Sequence, residues 1–313
     1  MLNLSLAITD FLSHCRIEKK LSTHSLRAYK KDLHQLNEFL INNKYSDDVT
    51  QIGKIQLRSY IDGMSNLKTS SIKRKIATSR ALFNYLELEE HIQMTPFRKM
   101  KIKINEPKQL PKVMSLGEIS KIFHAAYGQE KLHAYRDRPS YGPALMKIIV
   151  IELLFATGAR VSEIANLRTE SIDLHSGNIK ITGKGNKERI IQVCNADSIK
   201  ILRYYYKIYE EQIKREGFFL INRLNKKLSD QSIRSIVKGL VRAANLPIYI
   251  SPHKFRHSFA TLLLEEGVDI TYIQSMLGHG SITTTQIYTH VSKDKQRQIL
   301  LDKHPRKNIE ITL

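Results

Sequence analysis

SPHKFRHSFATLLLEEGVDITYIQSMLGHGSITTTQIYTH, residues 251–290, sets two histidines, an arginine and a tyrosine at the joints of short helices. His253 and Arg256 fall on one helical turn, His279 follows a Leu-Gly stop, and Tyr288 comes near the end. Ser281 is placed to cap a last helix on which Ile282, Thr285 and Tyr288 share a face. Cleavage of a phosphodiester by a protein hydroxyl needs fixed cations at the nonbridging oxygens, where charge builds. It also needs a route for the nucleophile's proton and a proton for the departing 5′ oxygen. Arginine suits the first task, because its planar fork meets two phosphate oxygens and stays charged. Arg256 and Arg160 both open a helix and are candidates for it.

On the residues alone, quieter uses stay open. Arg160 could pair with Glu163, three residues on, and His279 could merely cap a helix. His253 and His257 have the i, i+4 spacing of a metal pair, but no HExxH glutamate accompanies them and Arg256 would repel a cation. Tyr288 could be a core tyrosine. A free phenol has a pKa near 10, so about one in a thousand is ionised at neutral pH. Two neighbouring arginines would lower that pKa and hold a phosphate for in-line attack.

The whole chain has 313 residues, 42% of them apolar, which suits two packed domains rather than one. Its formal net charge of +20 points to a polyanionic partner, and nucleic acid is the usual one. Cys15 and Cys194 form no C-x-x-C pair, so neither a disulfide framework nor a zinc knuckle is expected. No secretory leader and no membrane-length apolar run is legible, which predicts a cytoplasmic protein.

The first hundred residues read as helices. Leu4, Ile8, Phe11 and Leu12 recur at helical spacing, as do Leu33, Leu36, Phe39 and Leu40. Ser22 or Thr23 can cap a helix whose polar face carries Arg27, Lys30 and Lys31. A further helix starts at Thr69 or Ser70, with Ile72, Ile76, Leu82, Phe83 and Leu86 inward. Lys73, Arg74, Lys75 and Arg80 are then expected to be free for phosphates. Residues 96–114 carry three prolines among Lys and Arg and read as an exposed, extended linker. The expected division is 1–104, a basic linker at 105–112, and 113–313.

In the second domain Ser115 and Glu118 form a capping box, and residues 127–142 read as a surface loop. Residues 145–155 make a strongly apolar helix stopped at Thr157-Gly158. Ile179 and Ile181, then Ile190, Ile191 and Val193, predict a β-hairpin with Lys184 at its tip. Residues 197–245 read as helical, with Tyr204, Tyr205, Tyr206 and Tyr209 as core or interface aromatics.

RVSEIANL, GKGNKER, HKFRHSFAT, LGHGSI and TTQIYTH follow one another in the order of the motifs of the tyrosine recombinase (phage integrase) family, which the chain resembles. STHSLRAYKKDL resembles that family's N-terminal core-binding domain, and DKHPR the tail of its Xer-type members. The resemblance implies a mainly α fold: a helical, SAM-like core-binding domain, then a mostly α-helical catalytic domain with a small antiparallel sheet. It implies that Arg160 and Arg256 clamp the scissile phosphate while His253 and His279 hydrogen-bond to it and help move protons. Lys184 would protonate the leaving 5′ oxygen, Tyr288 would form a 3′-phosphotyrosine link, and Glu163 would support them. No metal, ATP or other cofactor is then required.

The partners implied are double-stranded DNA with a specific site and three further subunits on two sites, exchanging strands through a Holliday junction. Those subunits are either copies of this chain or a paralogous recombinase, with an accessory DNA translocase as a further partner on the nucleoid. Chromosome-dimer resolution and mobile-element integration or excision both fit. A type IB topoisomerase shares the chemistry, but the Xer-like ending and two-domain length disfavour it. A metal nuclease would need a carboxylate cluster. The tail from residue 292 to 313 is expected to dock on a neighbouring subunit, since Ile299 and Leu300 would otherwise be exposed.

Overall fold

The computed structural model describes residues 2–104, 113–128, 141–183, 187–247, 250–278 and 293–310. The chain divides into two compact units, Met1–Gln109 and Leu110–Leu313.

In the first unit, α1 (Leu4–Ile17) begins where the Asn3 side chain accepts from the Ser5 N–H at 2.7 Å. It buries Leu4, Ala7, Ile8, Phe11 and Cys15, one stripe at helical spacing. Ser22 caps α2 (Thr23–Asn42) by accepting from the Ser25 N–H, and α3 (Lys54–Asp62) and α4 (Thr69–Leu88) complete the bundle. Ile76, Leu82, Phe83 and Leu86 of α4 close the core against Leu33, Leu36 and Leu40 of α2.

One polar group lies inside this core. Asp32 is 1% exposed and accepts from Arg74 and, at 3.3 Å, from the Thr78 hydroxyl, with the Lys75 ammonium 3.6 Å away. Lys75 also donates to Gln35 and is itself buried. This corrects the expectation for Lys75: its ammonium neutralises a buried carboxylate and is not free for phosphate. A buried carboxylate demands such partners. The expected linker is also shorter than read, because Pro96–Lys99 form a 3-10 turn that packs Phe97 against Phe83, with ring centroids 5.9 Å apart. Residues 105–112 lie outside the described residues.

The second unit is built around α6 (Tyr141–Thr157). Leu145, Ile148, Ile149, Val150, Ile151, Leu153, Leu154 and Phe155 are all within 1% of complete burial, so the helix is covered all round. Each such side chain contributes about 1.5–3 kcal/mol by its burial. Around it stand α5 (Leu116–Tyr127), α7 (Val161–Ala165), α8 (Ala196–Glu216), α9 (Asp230–Ala243), α10 (Pro252–Glu265) and α11 (Ile270–Leu277). The Ser115–Glu118 capping box starts α5. Strands β1 (Ile172–Asp173), β2 (Asn178–Thr182) and β3 (Glu188–Gln192) form one antiparallel sheet in that order. Between α8 and α9 the chain is not helical but makes short bridges, Arg168 with Phe218 and Ile221 with Lys227.

Two expectations for this unit change. Tyr127 is no loop residue: it ends α5, is buried, and donates to Glu152 at 2.6 Å. Residues 129–140 lie outside the described residues.

The tail, α12 (Lys293–Lys303) and the turn Pro305–Asn308, packs on its own unit rather than waiting for a neighbour. Leu300 and Ile309 are 2% and 3% exposed, and Ile299 packs partly buried beside them. Arg306, 1% exposed, reaches Glu152 at 2.9 Å and stacks over Phe123 at 5.0 Å, while Ser198 fills another carboxylate position at 2.6 Å. Leu300, Ile309 and the Arg306 charge of this tail are therefore satisfied within its own unit.

Replacing Arg306 by Met strands the Glu152 charge in the core and should cost about 3–5 kcal/mol in a urea unfolding titration. His304 adds a pH signature: its Nδ1 accepts from the Arg306 N–H at 3.0 Å, and burial pushes it down to about 4. The unfolded chain then takes up the proton first, so stability should fall by about 3 kcal/mol as pH drops from about 6.5 to about 4. His304→Gln should flatten that slope.

Candidate active site

The site begins at the end of α6. Gly158 stands at φ +57°, a region that suits glycine, and a Cβ there would lie 2.7 Å from Phe259 and 2.9 Å from Leu277. The turn it permits delivers Arg160 to the start of α7. There the Arg160 backbone N–H donates to Glu163 Oε2 and its guanidinium to Glu163 Oε1, both at 2.8 Å. The pair left open by the sequence therefore exists. Glu163 is only 4% exposed, so this is a built feature and not a surface contact.

Arg256 is carried by α10 and is 3% exposed. A buried cation must find acceptors. Its two terminal nitrogens donate to the carbonyls of Gly158, at 2.9 Å, and Leu277, at 2.6 Å. Burial, then the nearby Arg160, push its pKa down to about 10, which leaves it charged at neutral pH. The remaining N–H groups of its guanidinium have no partner among the described residues. His253, one turn earlier, is exposed; partial burial, His257, Arg256 and Arg160 lower its pKa below the usual histidine value. Neutral imidazole is the form that can accept a proton near pH 7. The His253 and His257 rings meet edge to face, 4.6 Å between centroids. No group of three or more His, Cys, Asp or Glu among the described residues is placed to hold a metal ion.

The structure thus gathers Arg160, His253 and Arg256. Lys184, His279 and Tyr288 lie outside the described residues, but the described residue just before each of the first two adjoins the site. Gly183 closes the hairpin root by donating to the Lys187 carbonyl at 2.8 Å, and a Cβ on it would be 3.3 Å from Glu163 Oε1. Gly278 caps α11 at φ +64°, where a Cβ would be 3.1 Å from Arg189. A cavity of about 890 Å³ lies elsewhere, among Met146, Tyr204, Tyr205, Tyr209 and Leu228, and contains none of these groups.

Residues 114–295 match the model of the phage integrase family, and residues 8–90 that of the phage integrase N-terminal SAM-like domain. The chain is a tyrosine recombinase of the phage integrase family. A tyrosine recombinase of Agathobacter rectalis is 41% identical over 98% of this chain and 99% of its own length. Tyrosine recombinase XerC of Oceanobacillus iheyensis is 32% identical over 98% and 99%. In fold the chain is similar to lambda integrase in the crystal structure of its tetramer bound to a Holliday junction, with a TM-score of 0.70 at 16% identity, covering 91% of this chain and 79% of that one. Family membership makes this a site-specific, strand-exchanging enzyme.

One charged residue beside this site escaped the sequence reading. Arg189 donates to both oxygens of Glu163, at 3.1 and 2.8 Å, and its Nε to the Met276 carbonyl at 2.8 Å. Burial raises the Glu163 pKa, but the hydrogen bonds from Arg189 and Arg160 outweigh it and keep the carboxylate ionised. A signal was available: Arg189 sits opposite Ile181 and two residues before the buried Ile191, so strand alternation turns it inward.

In the first unit, Arg27, Lys30, Lys31, Lys73, Arg74 and Arg80 are exposed, although Arg74 pairs with Asp32 and Lys73 also has a partner. The Arg80 guanidinium lies 5.5 Å from the Phe97 ring.

Gly158→Ala should cost about 2–4 kcal/mol, the sum of a left-handed backbone penalty and overpacking against Phe259 and Leu277. Because the same turn carries Arg160 and the carbonyl that holds Arg256, DNA cleavage should fall further than the unfolding midpoint predicts. Unfolding and cleavage assays on one preparation would check both.

Proposed function

We propose that Arg160, Lys184, His253, Arg256, His279 and Tyr288 form one phosphodiester-transfer site. The observation that carries the reading is Arg256: its buried guanidinium is fixed between the turn that precedes Arg160 and the helix end that precedes His279. Arg160 and Arg256 hold the nonbridging oxygens and stabilise the charge they gain in the transition state. The Tyr288 hydroxyl attacks phosphorus and the P–O5′ bond breaks, leaving a 3′-phosphotyrosine. Lys184 gives the 5′ oxygen its proton, and His253 and His279 hydrogen-bond the phosphate and assist the phenol's proton loss. A 5′ hydroxyl from another strand reverses the step, so neither ATP nor a metal is needed.

Residues 1–104 serve as the DNA-binding domain and 113–313 as the catalytic one, joined by the basic segment 105–112. The excess of +20 charges suits a duplex, with Arg27, Lys30, Lys31, Lys73, Arg74 and Arg80 as phosphate contacts. By analogy with the lambda integrase tetramer, four subunits act on two sites through a Holliday junction. The full-length likeness to a XerC supports an Xer-like role in the cytoplasm, on the nucleoid, resolving chromosome dimers or excising an element. The partner subunits are copies of this chain or a paralogue, and a DNA translocase is the accessory partner that such a role would use.

The test is capture of covalent protein–DNA adducts from the host in EDTA, followed by sequencing of the trapped DNA. Tyr288→Phe should bind that sequence as the wild type does and form no adduct. Arg160→Ala and Arg256→Ala should each slow cleavage about 100- to 1,000-fold, as loss of one transition-state donor does. Normal adduct yield from Tyr288→Phe would place the nucleophile elsewhere.

A further inference from the structure

Arg189 ends the hairpin motif GKGNKER and has no part in the chemistry given to the six residues above. Its side chain is 11% exposed, and Nε and both terminal nitrogens are bonded within the protein, so it is not a DNA contact. What it holds is informative. Glu163 Oε1 takes a bond from Arg160 at 2.8 Å and another from Arg189 at 3.1 Å, while the Arg189 fork also covers Oε2. A carboxylate facing a single arginine would form that two-pronged pair with it, which is the strongest arrangement the two groups have. Arg160 would then be turned towards Glu163 with its charge largely cancelled.

We propose that Arg189 is a positioning residue of the recombination reaction, occupying Glu163 so that Arg160 keeps most of its guanidinium for the phosphate. Two further contacts extend the role. Arg189 and Arg256 grip consecutive carbonyls, Met276 and Leu277, at the end of α11. Gly278, the residue before His279, packs against the Arg189 side chain, where a Cβ would come within 3.1 Å. One arginine therefore sets both the free face of Arg160 and the helix end that leads to His279. Glu163 becomes a divided acceptor: it orients Arg160 by one guanidinium bond without neutralising it.

The inference rests on Arg160 acting as a phosphate clamp, and the experiment separates the two. Full-length protein is given a nicked duplex carrying the sequence recovered from wild-type adducts, and binding and single-turnover cleavage are measured. Arg189→Gln should bind within about twofold of wild type and cleave about 30- to 100-fold more slowly, somewhat less than the full loss of one transition-state donor, because Arg160 is turned away but not removed. Glu163→Gln should slow cleavage only about threefold, because Arg160 is then unopposed. The double variant should cleave at least about tenfold faster than Arg189→Gln, since no carboxylate remains to capture Arg160. A residue that merely supports the fold would give no such rescue. If Arg189→Gln does not fold, Arg189→Lys with and without Glu163→Gln makes the same comparison. Wild-type cleavage by the Arg189 variant, a loss confined to binding, or a double variant no faster than the single overturns the proposal. Absence of any adduct from the wild type would instead defeat the reading of the site itself.

Discussion

Arg256 is buried with its charge intact, and much of the second unit's arrangement follows from satisfying it. A guanidinium removed from water needs acceptors, and the two it finds are main-chain carbonyls at the ends of different helices, Gly158 after α6 and Leu277 at the end of α11. Both carbonyls sit beside glycines in the left-handed region, where helix ends turn their last oxygens inward. Since α6 is the most deeply buried helix of the unit, the geometry around Arg256 inherits the rigidity of the core. A clamp for a phosphate is useful only if it does not have to reorganise when charge develops. In the role proposed for Arg256, that reorganisation is completed during folding.

The same helix carries a second buried charge with a different job. Glu152 sits at the centre of α6 and takes Tyr127, Ser198 and Arg306 from three other parts of the unit. Arg306 belongs to the tail, so the chain beyond the segment holding Tyr288 is anchored to the core that positions Arg160. Arg256 and Arg189 hold the end of α11, and Arg306, in the turn that follows α12, ties the tail to Glu152.

The first unit uses the same principle on a smaller scale. Asp32 is buried between α2 and α4 and is met by Lys75, Arg74 and Thr78. Lys75 is consumed by this network, while Arg74 remains half exposed and is held in place by it. Exposed cations fixed by a buried acid lose less side-chain entropy when they meet a phosphate than free lysines do. Composition supplies the excess charge, and packing decides which part of it faces outward.

How much could be read without coordinates follows from the range of each interaction. Caps and stripes are local, so Ser22, Ser115, the Leu4–Phe11 spacing and the apolar run of α6 announced their helices, and Ile179, Ile181 and Ile191 announced the hairpin. The motif residues Arg160, His253 and Arg256 were equally legible as candidates. Long-range pairing left no local mark. Lys75 looked like any lysine on a basic helix face until Asp32, far away in the chain, was packed beneath it. Leu300 looked exposed because its cover comes from the chain's own core, and nothing near Arg306 in the sequence marked its partner, because Glu152 lies about half the chain away. Arg189 showed only an inward strand parity. Sequence by itself determined most of the helices, the sheet, the basic character and the candidates for the reacting groups, because these depend on side-chain type and short spacing. Tertiary structure alone decided which charges are buried against which, since a carboxylate's partner is chosen by distance in space and by the cost of leaving it unpaired.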